Sequence, residues 1–193
     1  MRHTRSSRVG SRGPDRLIAW DQVPPLVRAL RSRSKKIVTT NGSFDLLHLG
    51  HIRYLKEAKA QGGILIVGLN SDASVRQYKG PLRPIHTELQ RAEALLSLRP
   101  VDYVVIFGQA VPMPFIERIC PDVHVNGAEY GEDCIEAKTV ARLGGRLHLV
   151  AREDGLSSTN LIERILTLHH QPALRHGVGQ TPVPPRSSHG DRT

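Results

Sequence analysis

The run Ile64-Leu65-Ile66-Val67-Gly68-Leu69 carries no polar side chain. So short an apolar stretch is the mark of a strand covered on both faces, as in parallel sheets. Further strands are expected at Ile37–Thr40, Val101–Phe107, Val123–Val125 and Arg146–Val150. Helix-patterned segments alternate with them. These are His51–Gln61, with Ile52, Leu55 and Ala58 on one face, then Glu88–Leu98, Phe115–Ile119 and Cys134–Leu143. A last helix is expected over Ser158–Leu168, where Leu161, Ile162, Ile165 and Leu168 are spaced for packing. The pattern predicts an α/β domain, a parallel sheet of about five strands with helices on both faces. Ligands of such sheets sit beyond the carboxyl ends of the strands.

The formal charge of +9 resides in the ends of the chain. Residues 1–36 hold ten Lys/Arg against Asp15 and Asp21, whereas residues 37–170 hold fourteen against fifteen acids. Nucleic acid is therefore not expected as a partner, except through the basic N-terminal arm. The chain divides into a basic, partly disordered arm over 1–35, a domain over 36–168 and a disordered tail over 169–193. In the arm, Leu17, Ile18, Trp20, Val23, Leu26, Val27 and Leu30 are expected to form a short amphipathic helix begun at Pro24-Pro25. Cys120 and Cys134 lack the paired spacing of a zinc site or disulfide framework. No apolar run approaches a membrane span, and Met1–Gly13 lacks the apolar core of a secretory signal. A cytoplasmic protein with no membrane partner is expected.

The segment Asn41-Gly42-Ser43-Phe44-Asp45-Leu46-Leu47-His48-Leu49-Gly50-His51 follows the first expected strand and opens a helix. N–H groups at a helix N-terminus point at bound anions, and the helix dipole favours negative charge there. Imidazole donors on the same turn can follow charge as it grows on phosphoryl oxygens. Gly42 and Gly50 leave room for close approach. No Gly-x-x-x-x-Gly-Lys-Ser/Thr sequence occurs, which excludes a Walker-type phosphate loop.

Other polar clusters fall at the ends of the expected strands. Asn70-Ser71-Asp72 reads equally as a helix N-cap or a sugar contact. Lys79-Gly80-Pro81-Leu82-Arg83-Pro84-Ile85 puts two cations on a proline-stiffened loop, suited to phosphates. Arg91 and Arg99 are either surface charges or forks on phosphate oxygens. Gly155-Leu156-Ser157-Ser158-Thr159 opens the last helix with three hydroxyls, more than a cap needs. His124, His148, His169 and His170 lack such context and read as structural or solvated.

Together these motifs resemble the nucleotidyltransferases that carry an HxGH motif, here His48-Leu49-Gly50-His51. The likeness runs from about Lys36 to Ile165. The nearest family is D-glycero-β-D-manno-heptose 1-phosphate adenylyltransferase, the second domain of the bifunctional ADP-heptose synthesis protein. The resemblance implies a Rossmann-like fold. It implies His48, His51, Lys79 and Arg91 in catalysis, and Thr40, Gly42, Ser43, Phe44, Gly50, Asn126, Glu129, Ser157, Ser158 and Thr159 on the nucleotide. Asp45, Asn70, Asp72, Lys79 and Arg83 would serve the acceptor. The sugar-kinase domain of the bifunctional proteins is missing, so a stand-alone transferase is expected, with a homodimer left open. Arg99 and Asp102 match an Arg/Asp pair of the glycerol-3-phosphate cytidylyltransferases.

This family usually has Cys where Ser43 stands, Pro where Leu49 stands and Lys-Gly-Gly-Asp-Tyr where Asn126-Gly127-Ala128-Glu129-Tyr130 stands. Arg152-Glu153-Asp154-Gly155 looks more like the cytidylyltransferase form of the final motif. The expected reaction moves AMP from ATP to a sugar 1-phosphate and releases pyrophosphate. Mg²⁺ is expected with the triphosphate. The protein itself shows no dedicated metal cage, though Asp45 or Asp72 could reach a metal-bound water. A CTP-dependent enzyme acting on a small phospho-alcohol is the second reading. A non-catalytic nucleotide-binding module with nucleic-acid-binding tails is the third.

Overall fold

Apolar side chains on both faces of each central strand require a helical layer on each side, and that is what the computed structural model contains. It describes residues 15–151 and 155–169. The chain falls into two compact units divided after Ser158. The first holds β1 (Leu17–Ile18), α1 (Val23–Arg31), β2 (Ile37–Gly42), α2 (Leu49–Ala60), β3 (Ile64–Asn70), α3 (Asp72–Lys79), α4 (Glu88–Leu96), β4 (Tyr103–Phe107), α5 (Met113–Ile119), β5 (Val123–Gly127), α6 (Ala137–Arg142) and β6 (Arg146–Val150). The last helix, α7 (Ser158–His169), belongs from Thr159 onward to the second unit. The expected disordered ends and the Arg152–Asp154 motif lie outside the described residues.

The sheet is parallel throughout, in the order β1-β4-β3-β2-β5-β6. Strand order reverses at β2, which pairs with β3 on one side and β5 on the other, so the switch-point crevice opens beyond Gly42 and Gly127. One core holds Leu55 and Ala58 of α2 and Ala92, Leu95 and Leu96 of α4 against Val38, Leu65, Val67 and Val104. The opposite core holds Val23, Val27 and Leu30 of α1, Phe115, Ile116 and Ile119 of α5 and Val140 of α6 against Ile37, Ile66 and Val105. Full burial of such side chains contributes about 1.5–3 kcal/mol each.

The fold class is as expected, with two differences. Leu17 and Ile18 do not join the amphipathic helix. They form a sixth strand on β4, in register with Val104 and Val105. Arg16 fixes that register by donating to Val101 O at 3.0 Å and Leu96 O at 2.5 Å. The helix itself starts at Val23, with prolines in its first turn. Second, Lys79 ends a helix rather than sitting on a loop. Ser71 caps α3, its hydroxyl accepting from Ser74 N, so the N-cap reading of Asn70-Ser71-Asp72 holds.

Candidate active site

The crossover from β2 to α2 is a strained turn. Phe44 adopts φ 43°, a left-handed conformation uncommon outside glycine. Its ring packs 5.2 Å from that of His51, and His51 stacks on His48 with centroids 3.8 Å apart. Glycine is needed here for space: a Cβ on Gly50 would come within 3.1 Å of the His48 ring and of Leu156, and one on Gly42 within 3.2 Å of Phe44. Burial, with the charges of His48 and Lys79 beside it, pulls the His51 pKa down to about 4, against a backbone bond to Leu46. His51 is therefore neutral near pH 7, in surroundings that hold cations waiting for an anion.

Two cations of the Lys79–Ile85 segment are tied to this turn. Lys79 Nζ donates to Ser43 Oγ at 2.9 Å. Arg83 Nε donates to Asp45 Oδ2 at 2.5 Å, and Asp45 Oδ1 accepts from Ile85 N at 2.7 Å and His86 N at 3.3 Å. Burial alone would raise the Asp45 pKa, but Arg83 and the two backbone donors hold it below the usual carboxylate value. Lys79 is pulled down by burial and by the Arg83 charge, against Asp45.

Arg91 occupies a different position from the one implied by resemblance. Its side chain is only 1% exposed. Nε donates to His86 O at 3.0 Å, Nη1 to Ser43 O at 2.5 Å, and Nη2 to both Asn70 O at 2.9 Å and Asp72 Oδ1 at 2.8 Å. The guanidinium thus joins four segments around the crevice instead of reaching into it. Asp72 is held by Arg91, and its own N–H donates to Glu88 Oε2 at 2.7 Å. Asn70 donates its side-chain amide to Ser74 Oγ at 3.2 Å. Asp45, with both oxygens bonded, is a strut under the Lys79–Ile85 segment.

The remaining residues divide similarly. Thr40 is buried, and its hydroxyl lies 2.6 Å from Tyr54 Oη, which donates to Val125 O at 2.8 Å. Burial pushes the Tyr54 phenol far up, so it stays a neutral donor. Asn126 is engaged at both ends, donating to Glu136 Oε2 at 3.3 Å and accepting from Gly127 N at 3.0 Å. Glu129 lies in the exposed turn after β5 and folds back over Gly127, where a Cβ would come within 2.2 Å of its Oε2. Ser158 Oγ donates to Leu46 O at 3.3 Å. Ser157 immediately precedes α7, and Thr159 is its second residue.

Asp102 falls away from the crevice, whereas His124 and His148 are structural, as expected. Asp102 sits at the opposite end of the sheet, accepting from Leu65 N at 2.6 Å and from Lys59 Nζ. His148 pairs with Glu57, and His124 is a fully buried core residue whose Nδ1 lies 2.8 Å from Thr39 Oγ1. Sequence reading missed Tyr54, Tyr78 and Glu136. Only Tyr78, directly before Lys79, carried a signal.

Stacked imidazoles and two tethered cations thus line the switch-point crevice, where α/β sheets bind their ligands. The chain belongs to the cytidylyltransferase-like family, whose model matches residues 39–167. It is 48% identical over 147 residues to the bifunctional protein HldE of Geobacter metallireducens, covering 76% of this chain and 30% of that one. Against HldE of Geotalea uraniireducens it is 45% identical over 163 residues, covering 82% and 33%. The chain thus spans about a third of the length of these relatives. The crystal structure of a lipopolysaccharide core biosynthesis protein from Thermoplasma volcanium is 31% identical, with a TM-score of 0.51 over 62% of this chain and 97% of that one. A pantoate-beta-alanine ligase from Francisella tularensis, 15% identical with a TM-score of 0.51 over 82% and 83% of the two chains, shares the fold alone. Among the described residues no helix is long and apolar enough to cross a membrane.

Proposed function

We propose that the protein transfers AMP from ATP to D-glycero-β-D-manno-heptose 1-phosphate, releasing pyrophosphate and forming ADP-heptose in the cytoplasm. One observation carries this reading: Lys79 and Arg83 are both bonded to the turn that bears His48 and His51. Donor and acceptor phosphates can then meet on one rigid segment. The similarity to HldE and to the lipopolysaccharide core biosynthesis protein of Thermoplasma volcanium supports a heptose acceptor.

The acceptor phosphate is already ionised near neutral pH, so no side chain has to remove a proton. One of its oxygens attacks the α-phosphorus of ATP in line, forming a new P–O bond. The α–β bridge breaks and its electron pair leaves with pyrophosphate. Catalysis is then positioning plus charge stabilisation. His48 and His51 attend the α/β oxygens, Lys79 the charge developing in transfer, and the outer N–H groups of Arg83 the acceptor phosphate. Gly42, Ser43, Phe44 and Gly50 shape the nucleotide turn, which Ser158 bonds through Leu46 O. Arg91, Asp45, Asn70 and Asp72 position these groups from behind.

The described residues contain no group of three or more His, Cys, Asp or Glu that could hold a metal ion. On chemical grounds Mg²⁺ would enter with the triphosphate as part of the substrate, where it would neutralise oxygen charge. The test is pyrophosphate release over a grid of ATP and CTP against heptose 1-phosphate, hexose 1-phosphates and glycerol 3-phosphate. ATP with heptose 1-phosphate should give the highest kcat/KM. Turnover confined to CTP and glycerol 3-phosphate would refute the reading.

A further inference from the structure

Tyr78 lies in the last turn of α3 with 53% of its surface exposed. The Ser43 side chain, which accepts from Lys79 Nζ at 2.9 Å, acts on its phenol. The Lys79 ammonium stands 5.8 Å from the centre of the Tyr78 ring. Arg91, Asp45 and Tyr130 are near enough to act on the phenol electrostatically. A phenol, an ammonium and a serine hydroxyl therefore converge beside the histidine turn. The core does not require this ring, since neither hydrophobic cluster includes it.

We propose that Tyr78 is a further substrate-binding residue: its hydroxyl joins Lys79 on the acceptor phosphate while its ring carries the apolar face of the sugar. Aromatic rings with one polar end are well suited to such mixed ligands. Burial raises the phenol pKa, so the group keeps its proton and remains a donor. Phosphate arriving at Lys79 would draw the ammonium from Ser43, exchanging a neutral acceptor for a charged one, which makes the stronger bond. The assignment rests on the sugar-phosphate reading above.

The test compares wild type with Tyr78→Phe and Tyr78→Ala in steady-state kinetics and in calorimetric titration with heptose 1-phosphate. Tyr78→Phe should raise the acceptor KM about tenfold, the loss of one hydrogen bond to a charged group. Tyr78→Ala should raise it further, and both should leave the KM for ATP and the thermal midpoint near wild type. Glycerol 3-phosphate, which has no ring to stack, should distinguish the Phe variant from wild type but not Ala from Phe. If wild type binds and turns over the sugar phosphate and both variants match it, Tyr78 is not a binding residue. If wild type itself neither binds nor turns over any sugar 1-phosphate, the functional reading fails, and this assignment with it.

Discussion

Asp45 and Asp102 stand at opposite ends of the sheet; each accepts from one cation and from backbone, two N–H groups at Asp45 and one at Asp102. Asp102 joins Leu65 N and Lys59 where β3 and β4 begin. Asp45 joins Ile85 N, His86 N and Arg83 where β2 ends. The first holds strand and helix that the core already packs. The second holds a loop whose flanking side chains, Leu82 at 89% and Ile85 at 52% exposure, bury little. The same local chemistry thus maintains the fold at one end and shapes the crevice at the other. A loop without a core is kept in place by its polar bonds, so there one carboxylate decides the geometry.

The largest effect should come from the crevice itself. His48→Ala or His51→Ala should lower kcat by about 10²–10³, as loss of one preorganised donor does, with near-native thermal stability. A folded double variant with wild-type turnover would remove the imidazoles from the mechanism.

The two aspartates give the next contrast. Asp45→Asn should raise the acceptor KM about tenfold, because its amide now faces Arg83 Nε and loses a charge-assisted bond; the KM for ATP should change little. Asp102→Asn should cost about 1–2 kcal/mol of stability in a denaturant titration and leave both KM values unchanged. Equal kinetic effects from the two would break the distinction between the ends of the sheet.

The smallest effect lies in the core. His124 has its pKa pulled down to about 3 by burial, against an ordinary value of 6.5. Between those values the unfolded chain binds a proton that the folded chain refuses. Stability from this group is complete above pH 6.5 and falls as the pH drops toward 3, by at most about 1.4 kcal/mol per pH unit. His124→Gln should therefore show a shallower loss of stability than wild type between pH 6 and 4.

Much of this was legible in the sequence, because apolar runs and helix spacing encode the strands and most helices directly. The HxGH turn was legible too, since histidines and glycines in that spacing have few other uses. Strand β1 was not: Leu17, Ile18 and Trp20 also fit one face of a helix, and a two-residue strand leaves no alternation to read. Helix α3 escaped because Asp72–Lys79 is mostly polar, with Val75 and Ser74 its buried residues. The place of Arg91 was illegible for a deeper reason. Three of its four partners are the carbonyls of Ser43, Asn70 and His86, and no side-chain pattern records where a backbone carbonyl will point. Asp45 misled in the same way, its loop partners being two amide groups.

The central claim is that the paired imidazoles and tethered cations form one seat for polyphosphate. Ring-labelled histidine NMR can follow the His51 titration in the free protein and with a non-hydrolysable ATP analogue and Mg²⁺. Near-neutral imidazole in the free protein, titrating at about 4, should move upward by about a unit or more once the anion is bound. A His51 titration that the nucleotide leaves unmoved would contradict the account.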